Sequence, residues 1–137
     1  MKTKFEEQIE EFNKFYGLPS KGRTQMPDLG RILIFGQMLL KELNEGEDVG
    51  KALILGSSGV EHPIVKMADW LGDIIVYCAS EMCRHGIPIQ ATLDVIMASN
   101  MTKADENGNP IVVDGKVIKG PNFVPPEAEL AKLLLDE

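Results

Sequence analysis

The stretch Ala68-Asp69-Trp70-Leu71-Gly72-Asp73 sits inside an apolar segment that runs from Ile64 to about Met82. In that segment Ile64, Met67, Leu71, Ile74, Ile75, Cys78 and Met82 recur at three- and four-residue steps, which predicts an amphipathic helix. Asp69 and Asp73 are four apart and so share one face of it. Two carboxylates one turn apart repel each other, and a helix built for structure alone would alternate signs at that spacing. A second acidic pair, Glu42 and Glu45, stands three apart near the end of the preceding helical segment. Two helices can therefore each present two carboxylates to a common point.

Around this centre the chain reads as one domain, residues 1–137, with room for one core. The formal net charge of -7 argues against nonspecific nucleic-acid or membrane-surface binding, which needs a cationic patch. It leaves open a small anionic ligand that arrives with metal ions. No basic start followed by an apolar core opens the sequence, and no apolar run approaches membrane-spanning length, so the expected location is the cytoplasm. Cys78 and Cys83 are not in a Cys-x-x-Cys arrangement and are expected to be reduced thiols in or near the core. His62 reads as a helix-start residue and His85 as a surface residue.

The expected architecture is all-α: an antiparallel bundle of four to five helices, a small C-terminal β-hairpin and an oligomeric assembly. Phe5, Ile9, Phe12 and Tyr16 stripe a first helix from about Lys4 to Tyr16, stopped by Gly17, Leu18 and Pro19. Residues 20–27 read as a connecting loop, with Lys21 and Arg23 as surface charge, a phosphate contact being the alternative. A second helix runs from an N-cap at Asp28 to Glu45, with Gly46 as its expected stop. Its apolar residues spread well around the cylinder, which implies burial on more than one side and hence a homo-oligomer. Residues 47–62 read as mixed, with a short helical turn over 51–55 and a loop at Gly56-Ser57-Ser58-Gly59. Pro63 suits the first turn of the third helix, which ends near Arg84 to Gly86. Glu81, two turns beyond Asp73, is expected to be solvated or engaged with a partner subunit.

The fourth helix is expected from about Pro88 to Met101, with Ile89, Leu93, Ile96 and Met97 inward and Asn100 at the rim of the core. Asp114-Gly115 between Ile111-Val112-Val113 and Lys116-Val117-Ile118 is a strong hairpin signal. Pro126 opens a last short helix through Leu134.

If Glu42, Glu45, Asp69 and Asp73 converge, two charges about 5 Å apart repel by roughly 3 kcal/mol at an effective dielectric near 20. Such a cluster must take up protons, swing apart or bind cations. Hard oxygen ligands suit Mg²⁺ or Mn²⁺, and a carboxylate-bound Mg²⁺ typically completes its shell with waters and substrate phosphates. Asn100, Lys103, Lys116 and Lys119 are then candidates for the remaining phosphate charge. Trp70 is a packing residue, with nucleobase stacking as the sharper alternative.

The arrangement resembles the all-α nucleoside triphosphate pyrophosphohydrolases, the MazG-like and phosphoribosyl-ATP pyrophosphohydrolase-like proteins. Their pattern is Glu-x-x-Glu on one helix and Glu-x-x-Asp on the next; Glu42-Leu43-Asn44-Glu45 matches the first half, and Asp73 looks like the close of the second. The likeness continues through Ser99-Asn100-Met101-Thr102-Lys103, residues 105–111 and residues 114–122, so that it covers roughly residues 29 to 126. Trp70 stands where the family has its second Glu, and Asp69 sits one residue earlier.

The resemblance implies Mg²⁺-dependent cleavage of a nucleoside triphosphate to the monophosphate and pyrophosphate, in the service of nucleotide-pool cleansing. Glu42, Glu45, Asp69 and Asp73 would hold metal, with Glu42 or Glu45 as base. It also implies a dimer or dimer of dimers. The alternative is a nucleotide- or metal-binding helical oligomer without turnover.

Overall fold

Thr3 opens the first helix with a reciprocal cap: its hydroxyl accepts from the Glu6 N–H at 3.2 Å, and Glu6 Oε1 accepts from the Thr3 N–H at 3.0 Å. The computed structural model of the chain describes residues 1–56 and 62–135. In order these form α1 (Lys4–Phe15), α2 (Leu29–Asn44), α3 (Gly46–Leu55), α4 (Pro63–Arg84), α5 (Ile89–Asn100), β1 (Val112–Val113), β2 (Lys116–Val117) and α6 (Glu127–Leu134). The chain is mostly helical, with a small two-stranded antiparallel sheet. Most of the helix boundaries expected from the sequence hold to within a residue or two. Beyond Gly56, the expected Gly/Ser loop lies outside the described residues.

α4 is the element against which α1, α2 and α3 all pack. Asp28 caps α2 by accepting from the Arg31 N–H at 2.9 Å. His62 caps α4, its Nδ1 accepting from the Ile64 N–H at 3.2 Å, with Pro63 at the first helical position. Asp114 (φ 50) and Gly115 (φ 76) make the hairpin turn with both central residues left-handed, and pair Val113 with Lys116.

The buried core is small. Ile9, Ala79, Cys83 and Ile89 form it, with Phe5, Val76 and Met82 packed against them. Asn13 is fully buried and fully used. Its amide donates to the carbonyls of Pro19 (2.9 Å) and Ser80 (3.2 Å), and its Oδ1 accepts from the Ser80 hydroxyl at 2.6 Å. The two bonds with Ser80 fasten α1 to α4 and the third ties the following loop back to α1, and together they satisfy an amide that would be costly to bury unpaired. Cys78 and Cys83 are free thiols, Cys83 buried, as the sequence led us to expect.

Three expectations are corrected. The stretch 47–55, expected to hold no more than a short helical turn, is part of a full helix, and Gly46 begins α3 instead of ending the helical run. The apolar stripes expected to face inward are only partly covered: Ile64, Met67, Leu71 and Ile75 on α4, and Leu93 and Met97 on α5, are exposed. Among the described residues they are covered only in part, because the buried core gathers around Ala79 and Cys83, toward the C-terminal end of α4. Glu81 and His85 are neither solvated nor simple surface residues. Arg31 on α2 donates to both Glu81 oxygens, Nε at 3.1 Å and Nη2 at 2.6 Å, and His85 Nε2 lies 2.9 Å from Glu81 Oε2.

That cluster carries a pH signature. Burial pushes the Glu81 carboxyl up, but hydrogen bonds from Arg31 and His85 and their charges outweigh it, and the net shift is downward. A carboxyl lowered in the folded state stabilises above its unfolded range near 4.5 and loses that contribution as pH falls through the lowered value. Glu81→Gln is therefore expected to cost about 1–2 kcal/mol at neutral pH, below the range for fully buried pairs because water reaches the cluster. Thermal melts from pH 7 to 3 check it. The gap between wild type and variant should close in the acid range, and a gap that persists at pH 3 would contradict the assignment.

Candidate functional site

Apolar sequence dictates that α2 should bury apolar side chains, yet its one buried residue is a carboxylate. Glu42 is only 7 % exposed, and its Oε1 has no hydrogen-bond partner. Burial pushes its carboxyl up, and the charges of Glu45, Asp73 and Asp69 push it the same way. The four acids singled out from the sequence thus lie within electrostatic reach of one another.

Glu45, Asp69 and Asp73 line a small cavity of about 60 Å³ together with Asp48, Val49, Lys66 and Trp70. Helix periodicity puts Asp69 and Asp73 on one face of α4, and the break between α2 and α3 brings Glu45 and Asp48 opposite them. Asp48 and Lys66 escaped the sequence reading. Asp48 lies on a helix that the reading did not draw, although Glu47 and Asp48 are the acidic first turn that marks a helix start. Lys66 is the one basic group lining this cavity among the described residues. Among the described residues, no three acidic, histidine or cysteine side chains stand close enough to hold a metal ion in the arrangement seen. The donor set nevertheless fits a hard cation: oxygen ligands, excess negative charge and an orphaned buried oxygen.

Trp70 has a structural task at this site. Its Nε1–H donates to the Glu42 carbonyl at 3.0 Å, and its ring packs so closely on Gly46 that a Cβ there would lie 2.6 Å from Cζ2. The indole fills the elbow between α2 and α3, and only glycine fits beneath it. Glu42, on the last turn of α2, and Glu45, its C-cap, lead into that contact.

The residues expected to meet phosphate lie elsewhere. Asn100 ends α5, half-buried, and Lys116 is exposed on β2. Lys103 and Lys119 both stand over the Phe123 ring, at 5.8 Å and 4.9 Å from its centroid. None of the four lines the acidic cavity. No family model matches the chain, and no curated protein matches it.

Proposed function

We propose that the protein is a Mg²⁺- or Mn²⁺-dependent nucleoside triphosphate pyrophosphohydrolase that releases pyrophosphate and a nucleoside monophosphate, acting in nucleotide-pool cleansing. The observation that carries this reading is Glu42, a nearly buried carboxylate with an unpartnered oxygen, within electrostatic reach of Glu45, Asp69 and Asp73. A structural helix gains nothing from that arrangement, since burying an uncompensated carboxylate beside others is costly.

Glu42, Glu45, Asp69 and Asp73 would hold the cation. Once bound, it supplies charge neutralisation at the phosphates and a water of lowered pKa. The chain's own part is to position that water's proton against a carboxylate. Glu42 suits the task, because burial and its acidic neighbours raise the affinity of its carboxylate for a proton. Trp70 and Gly46 hold the elbow that carries it. The reading does not rest on Asn100, Lys103, Lys116 or Lys119.

The proposal includes a homo-oligomer, a dimer or a dimer of dimers. Leu29, Ile32, Leu33, Ile34 and Leu40 on α2 are each more than half exposed, and none of the helix's apolar residues is buried within one copy. A contiguous apolar surface of that kind favours a second copy as its cover. Sedimentation at micromolar concentration checks this part, and a monomer would remove it. Among the described residues no helix is long and apolar enough to cross a membrane.

A second reading, metal-nucleotide binding without turnover, is favoured by Trp70 standing where a fourth regularly spaced carboxylate would be. One assay separates the two: pyrophosphate release from a panel of ribo- and deoxyribonucleoside triphosphates with Mg²⁺ or Mn²⁺, in wild type and Asp73→Asn. Release that falls at least about tenfold in the variant is the expected result. Nucleotide-dependent stabilisation without release would favour the binding module. Release unchanged in Asp73→Asn would remove the acidic cavity from the reaction.

A further inference from the structure

Of the chain's three arginines, Arg31 and Arg84, far apart in sequence, line one cleft, and the backbone of the third, Arg23, passes beside Gly86 next to it. The loop after α1 is laid across the C-terminal end of α4 by specific bonds. The Lys21 N–H donates to the Cys83 carbonyl at 3.2 Å, the Gln25 N–H to the His85 carbonyl at 2.8 Å, and the Thr24 hydroxyl to the Gly86 carbonyl at 3.4 Å. Between this loop, the start of α2 and the end of α4 lies a cleft of about 500 Å³. Lys21, Arg31, Arg84 and His85 line it, with Asp28 as the one acidic residue in its walls among the described residues.

Glu81 stands behind the cleft as the internal counter-ion. It takes two bonds from Arg31 and one from His85, but Arg84 Nε stays 3.6 Å away, beyond hydrogen-bond length. The terminal nitrogens of Arg84 and the Lys21 ammonium carry no hydrogen bond among the described residues. Three permanent cations therefore face the two carboxylates of Asp28 and Glu81, in a chain whose overall charge is -7. A field of that sign, held against the net charge of the molecule, is not needed to fasten α2 to α4; Arg31 and Glu81 do that by themselves. Arg31 and Arg84 are mostly buried along their stems, so their guanidinium forks are pre-oriented.

We propose that this cleft is an anion site that takes the dianionic phosphate of a small phosphorylated ligand, with Lys21 and Arg84 donating to it and Arg31 and Glu81 holding the frame. Planar guanidinium forks beside an ammonium match phosphate oxygens geometrically, and charge-assisted bonds to them are short and strong. The volume admits more than bare phosphate, and the apolar walls of Met26 and Pro27 suit the ligand's remaining part. From Asp73 to Arg84 is eleven residues of helix, about 16 Å, so the site is separate from the acidic cavity and does not depend on the reaction proposed there.

The test is a backbone-amide NMR titration of the full chain with inorganic phosphate and, separately, glycerol 3-phosphate. It is run in EDTA at fixed ionic strength, so that the acidic cavity cannot recruit phosphate through metal. The expected result is saturable shifts in residues 19–31 and 84–86, with affinity about tenfold weaker in Lys21→Gln and in Arg84→Gln. Lys21 is exposed, and its side chain has no hydrogen bond among the described residues, so Lys21→Gln tests the site even where Arg84→Gln disturbs the fold. Tighter binding of glycerol 3-phosphate identifies a phosphate monoester as the ligand class; equal binding identifies free phosphate. Shifts that do not saturate, that map only to Lys103 and Lys119, or that persist unchanged in Lys21→Gln overturn the proposal.

Discussion

Gly86→Ala is expected to destabilise the protein by about 3–5 kcal/mol and to lower Tm by roughly 10–20 °C. Gly86 sits at φ +69, where it turns the chain off α4 and returns the Ile87 N–H to the Met82 carbonyl at 2.9 Å. A side chain in that backbone conformation costs about 1–2 kcal/mol by itself. The larger part is steric, because a Cβ would lie 1.9 Å from the carbonyl oxygen of Arg23. The loop would have to lift, and the bonds from Lys21, Thr24 and Gln25 to the end of α4 would go with it. Gly17→Ala is the control. Gly17 has nearly the same φ, +67, but nothing within 4 Å of its Cβ position, so only the conformational cost of about 1–2 kcal/mol should appear. Equal losses from the two substitutions in denaturant unfolding would show that the close approach at Gly86 is immaterial.

Glu42→Gln is expected to move stability and activity in opposite directions. In EDTA the variant should be more stable than wild type by about 1–2 kcal/mol, because it removes a buried charge that Glu45, Asp69 and Asp73 repel and whose Oε1 makes no hydrogen bond. With Mg²⁺ in large excess the order should reverse. A cation that binds only the folded state adds about 2.7 kcal/mol at a hundred times its dissociation constant, and the variant should lose most of that. Pyrophosphate release should fall by about 10²–10⁴-fold, the range for loss of a general base. Melts with and without Mg²⁺ check the first two effects. A variant that is less stable in EDTA, or equally stabilised by Mg²⁺, would return Glu42 to an ordinary structural role.

Local patterns carried most of the secondary structure. The periodic stripe from Ile64 to Met82 is α4, Asp28 and Pro63 mark the helix starts they were expected to mark, and Asp114-Gly115 is the hairpin turn. α3 was hidden because Gly46 carries two meanings. By local rules it ends a helix, whereas in the fold it is small so that Trp70 can pack on it. That contact joins residues 24 apart and leaves no trace in either helix's periodicity. Asp48 was missed with α3, while the four other acids were visible because carboxylates one turn apart stand out on an apolar helix. Partners for Glu81 could not be read at all, since Arg31 lies 50 residues away and its pairing depends on how α2 crosses α4. The stripes on α4 and α5 were legible as apolar but not as uncovered, because the pattern tells which face avoids water and not which molecule supplies the cover.

Trp70 is the only tryptophan in the chain, and its indole lies in the wall of the acidic cavity with its N–H tied to the Glu42 carbonyl. Emission excited at the red edge of protein absorption therefore comes from that one place, without a label and without background from a second indole. The ring feels the field of Glu45, Asp48, Asp69 and Asp73 directly, so neutralising those charges changes the colour and yield of its fluorescence. The elbow that holds the carboxylates in position is also an optical reporter of what enters between them.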